Sequence, residues 1–125
     1  MENELSFKII GAAIEVHKNL GGPGLLESIY ESALCHELKI QGFNVKMQMS
    51  VPVVYRGVII KEPLYIDITV NDLVLMEVKA TEKHSTLYEN QLLTYLRLLK
   101  IKLGLLVNFG KSHVKDGITR VVKNF

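Results

Sequence analysis

The sequence predicts an α/β sandwich built on a mixed sheet, and three observations carry that reading. Residues 5–40 repeat apolar side chains at helical spacing, and residues 43–80 alternate like an antiparallel meander. Residues 87–108 read as an apolar helix followed by an apolar strand.

Taken in order, Leu5 to Leu20 forms a first helix with Leu5, Ile9, Ala12, Ala13, Val16 and Leu20 roughly on one face. Gly21-Gly-Pro-Gly24 ends it and starts the next, which runs from about Leu25 to Ile40, buries Leu26, Ile29, Tyr30, Ala33, Leu34 and Leu38, and stops at Gly42. Strands are expected at Phe43 to Met49, Val51 to Tyr55 and Val58 to Lys61, with Arg56-Gly57 as a hairpin turn and Pro52 and Pro63 marking edges or strand ends. Two further strands, Leu64 to Val70 and Leu73 to Ala80, meet at Asn71-Asp72. After a loop at Thr81 to Thr86, the helix Leu87 to Lys100 is apolar almost all round and is expected to be largely buried. Lys102 to Asn108 reads as a buried strand and Ile118 to Lys123 as the last one.

A chain of 125 residues that is 48% hydrophobic and 22% charged is a single domain with a real core, residues 1–125 throughout. No apolar run reaches the roughly 18 residues a membrane span needs, and the first residues lack a signal peptide's basic start and long apolar stretch, so a cytoplasmic protein is expected. The single Cys35 cannot form an internal disulfide and reads as a small buried hydrophobe. Net charge is only +2, but residues 1–78 carry 6 basic against 10 acidic side chains and residues 79–125 carry 9 against 3. The basic half offers Lys100, Lys102, Lys111, Lys115, Arg120 and Lys123 to a polyanion; ordinary solvated faces are the competing explanation.

Asp67, Glu77 and Lys79 stand on otherwise apolar strands, and charges taken out of water there need partners. Leu64, Ile66, Ile68 and Val70 alternate against Tyr65, Asp67 and Thr69; Val74, Met76, Val78 and Ala80 alternate against Leu73, Leu75, Glu77 and Lys79. A two-residue loop at Asn71-Asp72 would pair Asp67 with Met76 and set polar against apolar faces. A three-residue connection pairs Asp67 with Glu77 and Tyr65 with Lys79, and is the register predicted here. Two carboxylates that close repel by about 4 kcal/mol at an effective dielectric near 20. A hard divalent cation such as Mg²⁺ relieves that repulsion and usually retains waters, whose lowered pKa suits attack on a phosphodiester.

With Gln91 and Tyr95 one turn apart on the following helix, this pattern resembles the PD-(D/E)XK nuclease superfamily, the Gln91-Leu-Leu-Thr-Tyr95 element being similar to that of its RecB-like and exonuclease branches. More narrowly, Gly24-Leu-Leu-Glu27-Ser-Ile-Tyr30, together with Glu15-Val-His17, Asn19-Leu-Gly21, Gln91-Leu-Leu-Thr-Tyr-Leu96 and Gly104-Leu-Leu-Val-Asn-Phe-Gly110, resembles the GxxExxY protein family over nearly the whole chain. The resemblance implies a restriction-endonuclease-like three-layer sandwich and a metal-dependent nuclease acting on DNA or RNA. Asp67, Glu77 and Glu27 would hold Mg²⁺, or Mn²⁺ in its place, Lys79 would be the catalytic lysine, and Gln91 and Tyr95 would position phosphate or water. Ile66 stands where the superfamily name has Pro.

Other readings compete. Glu77 and Lys79 could be a same-face charge pair, Gln91 and Tyr95 a satisfied core pair, and Glu27 a residue favouring the helix dipole. The four histidines show no ligand spacing, His17 being of most interest as part of Glu15-Val-His17. Against the nuclease stands a catalytically silent nucleic-acid-binding or protein-interaction module on the same fold, and more remotely a structural subunit. A homodimer is also expected to be open to the chain, since one small domain offers little area to grip a duplex.

Overall fold

The computed structural model describes residues 1–60 and 63–124. Helices α1 (Glu2–Asn19) and α2 (Glu27–Ile40) precede strands β1 (Val45–Val51), β2 (Val54–Tyr55), β3 (Val58–Ile59), β4 (Leu64–Val70) and β5 (Val74–Lys79). Helix α3 (Thr86–Leu99), strand β6 (Leu103–Asn108), a 3-10 turn at Val114–Gly117 and strand β7 (Ile118–Val122) complete the order.

Five strands form one mixed sheet in the order β1-β4-β5-β6-β7, in which only β5 and β6 run parallel. That parallel pair follows from the chain itself, because α3 fills the crossover between them. One apolar cluster, including Ile9, Val16, Leu34, Met76 and Val107, lies between the sheet and α1 with α2. A second, including Leu75, Leu92, Leu96 and Leu106, lies under α3. Helices on both faces of a mixed sheet make the expected three-layer α/β sandwich of restriction-endonuclease-like form.

Several expectations need correction. β1 runs unbroken to Val51, so the break falls at Pro52 and not at Ser50, and β2 and β3 form a separate two-stranded ribbon. The Arg56-Gly57 turn is as expected, with both residues left-handed at φ 49° and 80°; the expected end of β3 at Lys61 lies outside the described residues. Helix α3 is not largely buried: only Leu92 and Leu96 are, while Leu87 is 57% exposed, because the sheet covers a single face of the helix. Leu20, Leu26 and Ile29 are exposed as well. Leu20 and Leu26 cap their helices from outside, and the buried face of α2 is Tyr30, Glu31, Leu34, Cys35 and Leu38.

The β4–β5 hairpin has the predicted odd connection. Val70 pairs with Val74, Thr69 with Leu75 and Ile68 with Met76, leaving Asn71, Asp72 and Leu73 as the loop, with Asn71 and Asp72 left-handed at φ 53° and 54°. The ladder stops there. Asp67 and Glu77 are next in line but are not a ladder pair, and Tyr65 does not reach Lys79; it pairs with Ser50 of β1. On the other edge of β4 the ladder passes from Met47–Ile68 to Met49–Ile66 and skips Gln48 opposite Asp67. Gln48 has φ 53°. The predicted single face of β4 is therefore split at this point: Ile68 and Val70 join the cluster under α1 and α2, while Ile66 joins the one under α3.

Candidate functional site

The carboxyl ends of the parallel strands β5 and β6 are tied to one another and to the loops beyond them. Phe109 N–H donates to the Lys79 carbonyl at 2.8 Å. Buried Asn108 then clamps the following loop: its Oδ1 accepts from Thr81 N at 3.1 Å and Gly110 N at 2.9 Å, and its Nδ2 donates to the Thr81 carbonyl at 2.9 Å. Gly110 lies so close to the Thr81 backbone that no Cβ fits. His17 is a structural residue; its buried ring nitrogen Nε2 donates to the Phe109 carbonyl at 3.0 Å.

Tyr30 links this frame to the start of α2. Its ring stacks on Phe109 with centroids 4.6 Å apart and planes 2° from parallel. Its hydroxyl donates to the Gly22 carbonyl at 2.7 Å and accepts from Leu25 N at 3.2 Å, which fixes the loop that Gly24 turns at φ 119°. Glu27, three residues on, is the first residue of α2, where a negative charge also favours the helix dipole. Burial raises the Glu27 carboxyl pKa, with Lys79 and the Ala80 amide pulling it down and Asp67 pushing it up. Glu27 is itself exposed, like most of the segment before it, and its carboxyl lies on the side of Lys79 and Ala80.

Asp67 is held where β4 and β5 part. Its Oδ2 accepts the Val78 amide at 2.8 Å, a bond a strand carbonyl would otherwise make, and its Oδ1 accepts from Gln48 Nε2 at 3.2 Å. Glu77 is 7% exposed and its Oε1 has no hydrogen-bond partner among the described residues. Burial pushes the Glu77 carboxyl up to about 10, with Asp67 adding to the rise through a hydrogen bond and its charge, and Lys79 opposing it. Without a cation, the Glu77 carboxyl therefore keeps its proton at neutral pH. The Lys79 ammonium lies 4.7 Å from the centre of the Tyr88 ring.

Of the two residues expected on α3, Tyr95 reaches this cluster: it packs beside Leu92 and Leu96, and burial, followed by Glu77 and Asp67, raises its pKa. Gln91 is on the exposed surface and makes no side-chain hydrogen bond among the described residues. Two residues went unforeseen. Glu31, only 6% exposed, comes from the same helix face as Glu27 one turn later, and accepts from Gln48 Nε2 at 2.6 Å. Burial raises the Glu31 pKa, which the Gln48 bond lowers and the Asp67 and Glu27 charges raise further. The i, i+4 spacing of the two glutamates was the available signal; nothing local marks Gln48.

The six basic residues do not form one patch. Lys100, Lys102 and Lys123 lie at the start of β6, where Lys123 N–H bonds the Lys102 carbonyl, and Lys79 lies at the opposite end of the sheet. Arg120 is taken up by Asn3. Lys111 is at the near end, donating to the Glu82 carbonyl at 3.1 Å, and it lines a cleft of about 690 Å³ with Gly24, Leu25, Ala80 and Thr81.

The donor chemistry fits a hard cation, because buried Glu77 offers an unpartnered carboxylate oxygen beside an oriented Asp67. Among the described residues no three His, Cys, Asp or Glu side chains converge closely enough to hold a metal. Mg²⁺ does not require three: it is commonly bound through one or two carboxylates, with waters and phosphate oxygens completing its shell.

The family model that matches residues 3–121 is that of the PD-(D/E)XK nuclease superfamily. No curated protein and no solved structure matches the chain.

Proposed function

The chain belongs to the PD-(D/E)XK nuclease superfamily, and from that premise we propose that it is a Mg²⁺-dependent nuclease hydrolysing phosphodiester bonds of DNA or RNA. The observation that carries the reading is the orphaned Oε1 of buried Glu77 next to Asp67, with Lys79 two residues on. The Gly24, Glu27 and Tyr30 arrangement supports the narrower GxxExxY assignment.

Asp67 and Glu77 would hold the cation, or Mn²⁺ in its place, and Glu27 would join them as a further ligand or hold a water. A divalent cation bound there acidifies water and offsets charge on the scissile phosphate. Asp67 contributes a carboxylate fixed by the Val78 amide, and burial of Glu77 strengthens its interaction with any cation nearby. Lys79, whose ammonium lies over the Tyr88 ring, would orient the attacking water and compensate developing negative charge on the phosphoryl oxygens. Tyr95 offers a hydroxyl on the α3 side of the same carboxylates, a positioning role that its packing beside Leu92 and Leu96 supports. Gln91, exposed on α3, would position the phosphate from the surface.

Replacing Lys79 by Ala tests this reading on single- and double-stranded DNA and RNA with Mg²⁺ and Mn²⁺. Loss of cleavage with an unchanged melting temperature is expected; cleavage equal to that of the parent removes the mechanism. The second reading is a silent nucleic-acid-binding module on the same fold. It predicts salt-dependent binding with no metal-dependent cleavage.

A further inference from the structure

Gln48 occupies an unusual place for a residue of β1. It faces Asp67 at the one position where the β1–β4 ladder is skipped, and its backbone is left-handed at φ 53°, a conformation that suits glycine and strains other side chains. What holds it there is its side chain. A single amide nitrogen donates to Glu31 Oε1 at 2.6 Å and to Asp67 Oδ1 at 3.2 Å, so one group joins the buried face of α2 to the candidate cation ligand on β4.

We propose that Gln48 is a positioning residue which, anchored on Glu31, fixes the rotation of the Asp67 carboxylate. The other Asp67 oxygen is held by the Val78 amide, and one hydrogen bond leaves a carboxylate free to swing about it; the second, from the opposite strand, removes that freedom. Glu31 supplies the fixed point, being buried on α2 and bonded to Gln48 at the shorter distance. Strain in the backbone of a strand residue, kept by a side-chain contact to a site carboxylate, is the pattern of a residue retained for the site. The backbone conformation alone would favour glycine here.

The inference rests on the proposed metal-dependent reading for its consequence but not for its geometry, and two arms separate them. Gln48→Gly relieves the strain and removes the amide, while Gln48→Met keeps the length and removes only the donor. In metal-free protein, hydrogen exchange of the Val78 amide should rise by about tenfold in both variants, roughly what one hydrogen bond is worth, with Met76 unchanged. Mn²⁺ affinity measured by calorimetry should fall by about tenfold or more in both, as for other groups that orient a ligand. Val78 exchange equal to the parent's in both variants overturns the proposal. If the parent protein neither binds Mn²⁺ nor cleaves, the nuclease reading fails, and Val78 exchange still decides what Gln48 does.

Discussion

Asp67 accepts the Val78 amide at 2.8 Å and so replaces a backbone carbonyl at the point where β4 and β5 separate. The side chain has two duties, one in the fold and one in the candidate site, and substitutions can divide them. Asp67→Asn keeps an acceptor oxygen for Val78 and loses the negative charge. It should melt close to the parent and show no metal-dependent cleavage. Asp67→Ala leaves a buried N–H unpaired, at a cost of about 1–3 kcal/mol, and should melt lower. Equal melting temperatures for the two variants would show that the Val78 bond contributes nothing to stability.

Tyr30→Phe isolates the hydroxyl that joins Gly22 to Leu25 while preserving the stack on Phe109. Two loop groups lose a partner, which should cost about 1–2 kcal/mol and speed hydrogen exchange at Leu25. The turn sets where α2 begins, so Mg²⁺-dependent cleavage should fall together with the order of the loop. Unchanged exchange at Leu25 would mean that Gly22 and Gly24 hold this turn by themselves.

How much of this was legible in the sequence depends on whether the deciding interaction was local. The three-residue connection at Asn71 to Leu73 was, because alternation on both strands admits only one register that keeps polar side chains together. The end of the ladder just past Ile68 and Met76 was not: it depends on β1 and Gln48, far away in the chain. Composition made α3 look buried, yet burial depends on how much sheet lies beneath a helix, and β6 and β7 cover only the Leu92 and Leu96 side. Glu31 went unforeseen for the same reason. Its burial follows from the rotation of α2 that the Tyr30 and Leu34 contacts impose.

Cys35 gives a check on the packing of α2 that is independent of any activity. Burial pushes its thiol up to about 11, with the Glu31 and Asp67 charges adding to the rise against Lys39. Thiolate is the reactive form, so a thiol reagent at pH 8 should leave the native protein unmodified and label it only once denaturant unfolds it. Rapid labelling of native protein would place Cys35 outside the core.

Glu77 links pH, metal and stability. Its carboxyl holds a proton in the native state up to about pH 10, mainly because it is buried, then because of Asp67, whereas an unfolded chain releases that proton near its ordinary value of 4.5. Between those limits the native state binds more protons than the unfolded state, so stability falls as pH rises. Metal-free protein should therefore melt at progressively lower temperature from pH 6 to pH 9. Glu77→Gln, neutral throughout, should flatten that slope and melt above the parent at pH 9. A divalent cation replaces the proton with a stronger partner, so Mg²⁺ should raise the melting temperature of the parent more at pH 9 than at pH 6, and should not do so in Glu77→Gln. A metal-free melting temperature independent of pH over this range, or an equal Mg²⁺ response in the two proteins, would show that Glu77 is neither the protonated group nor a ligand.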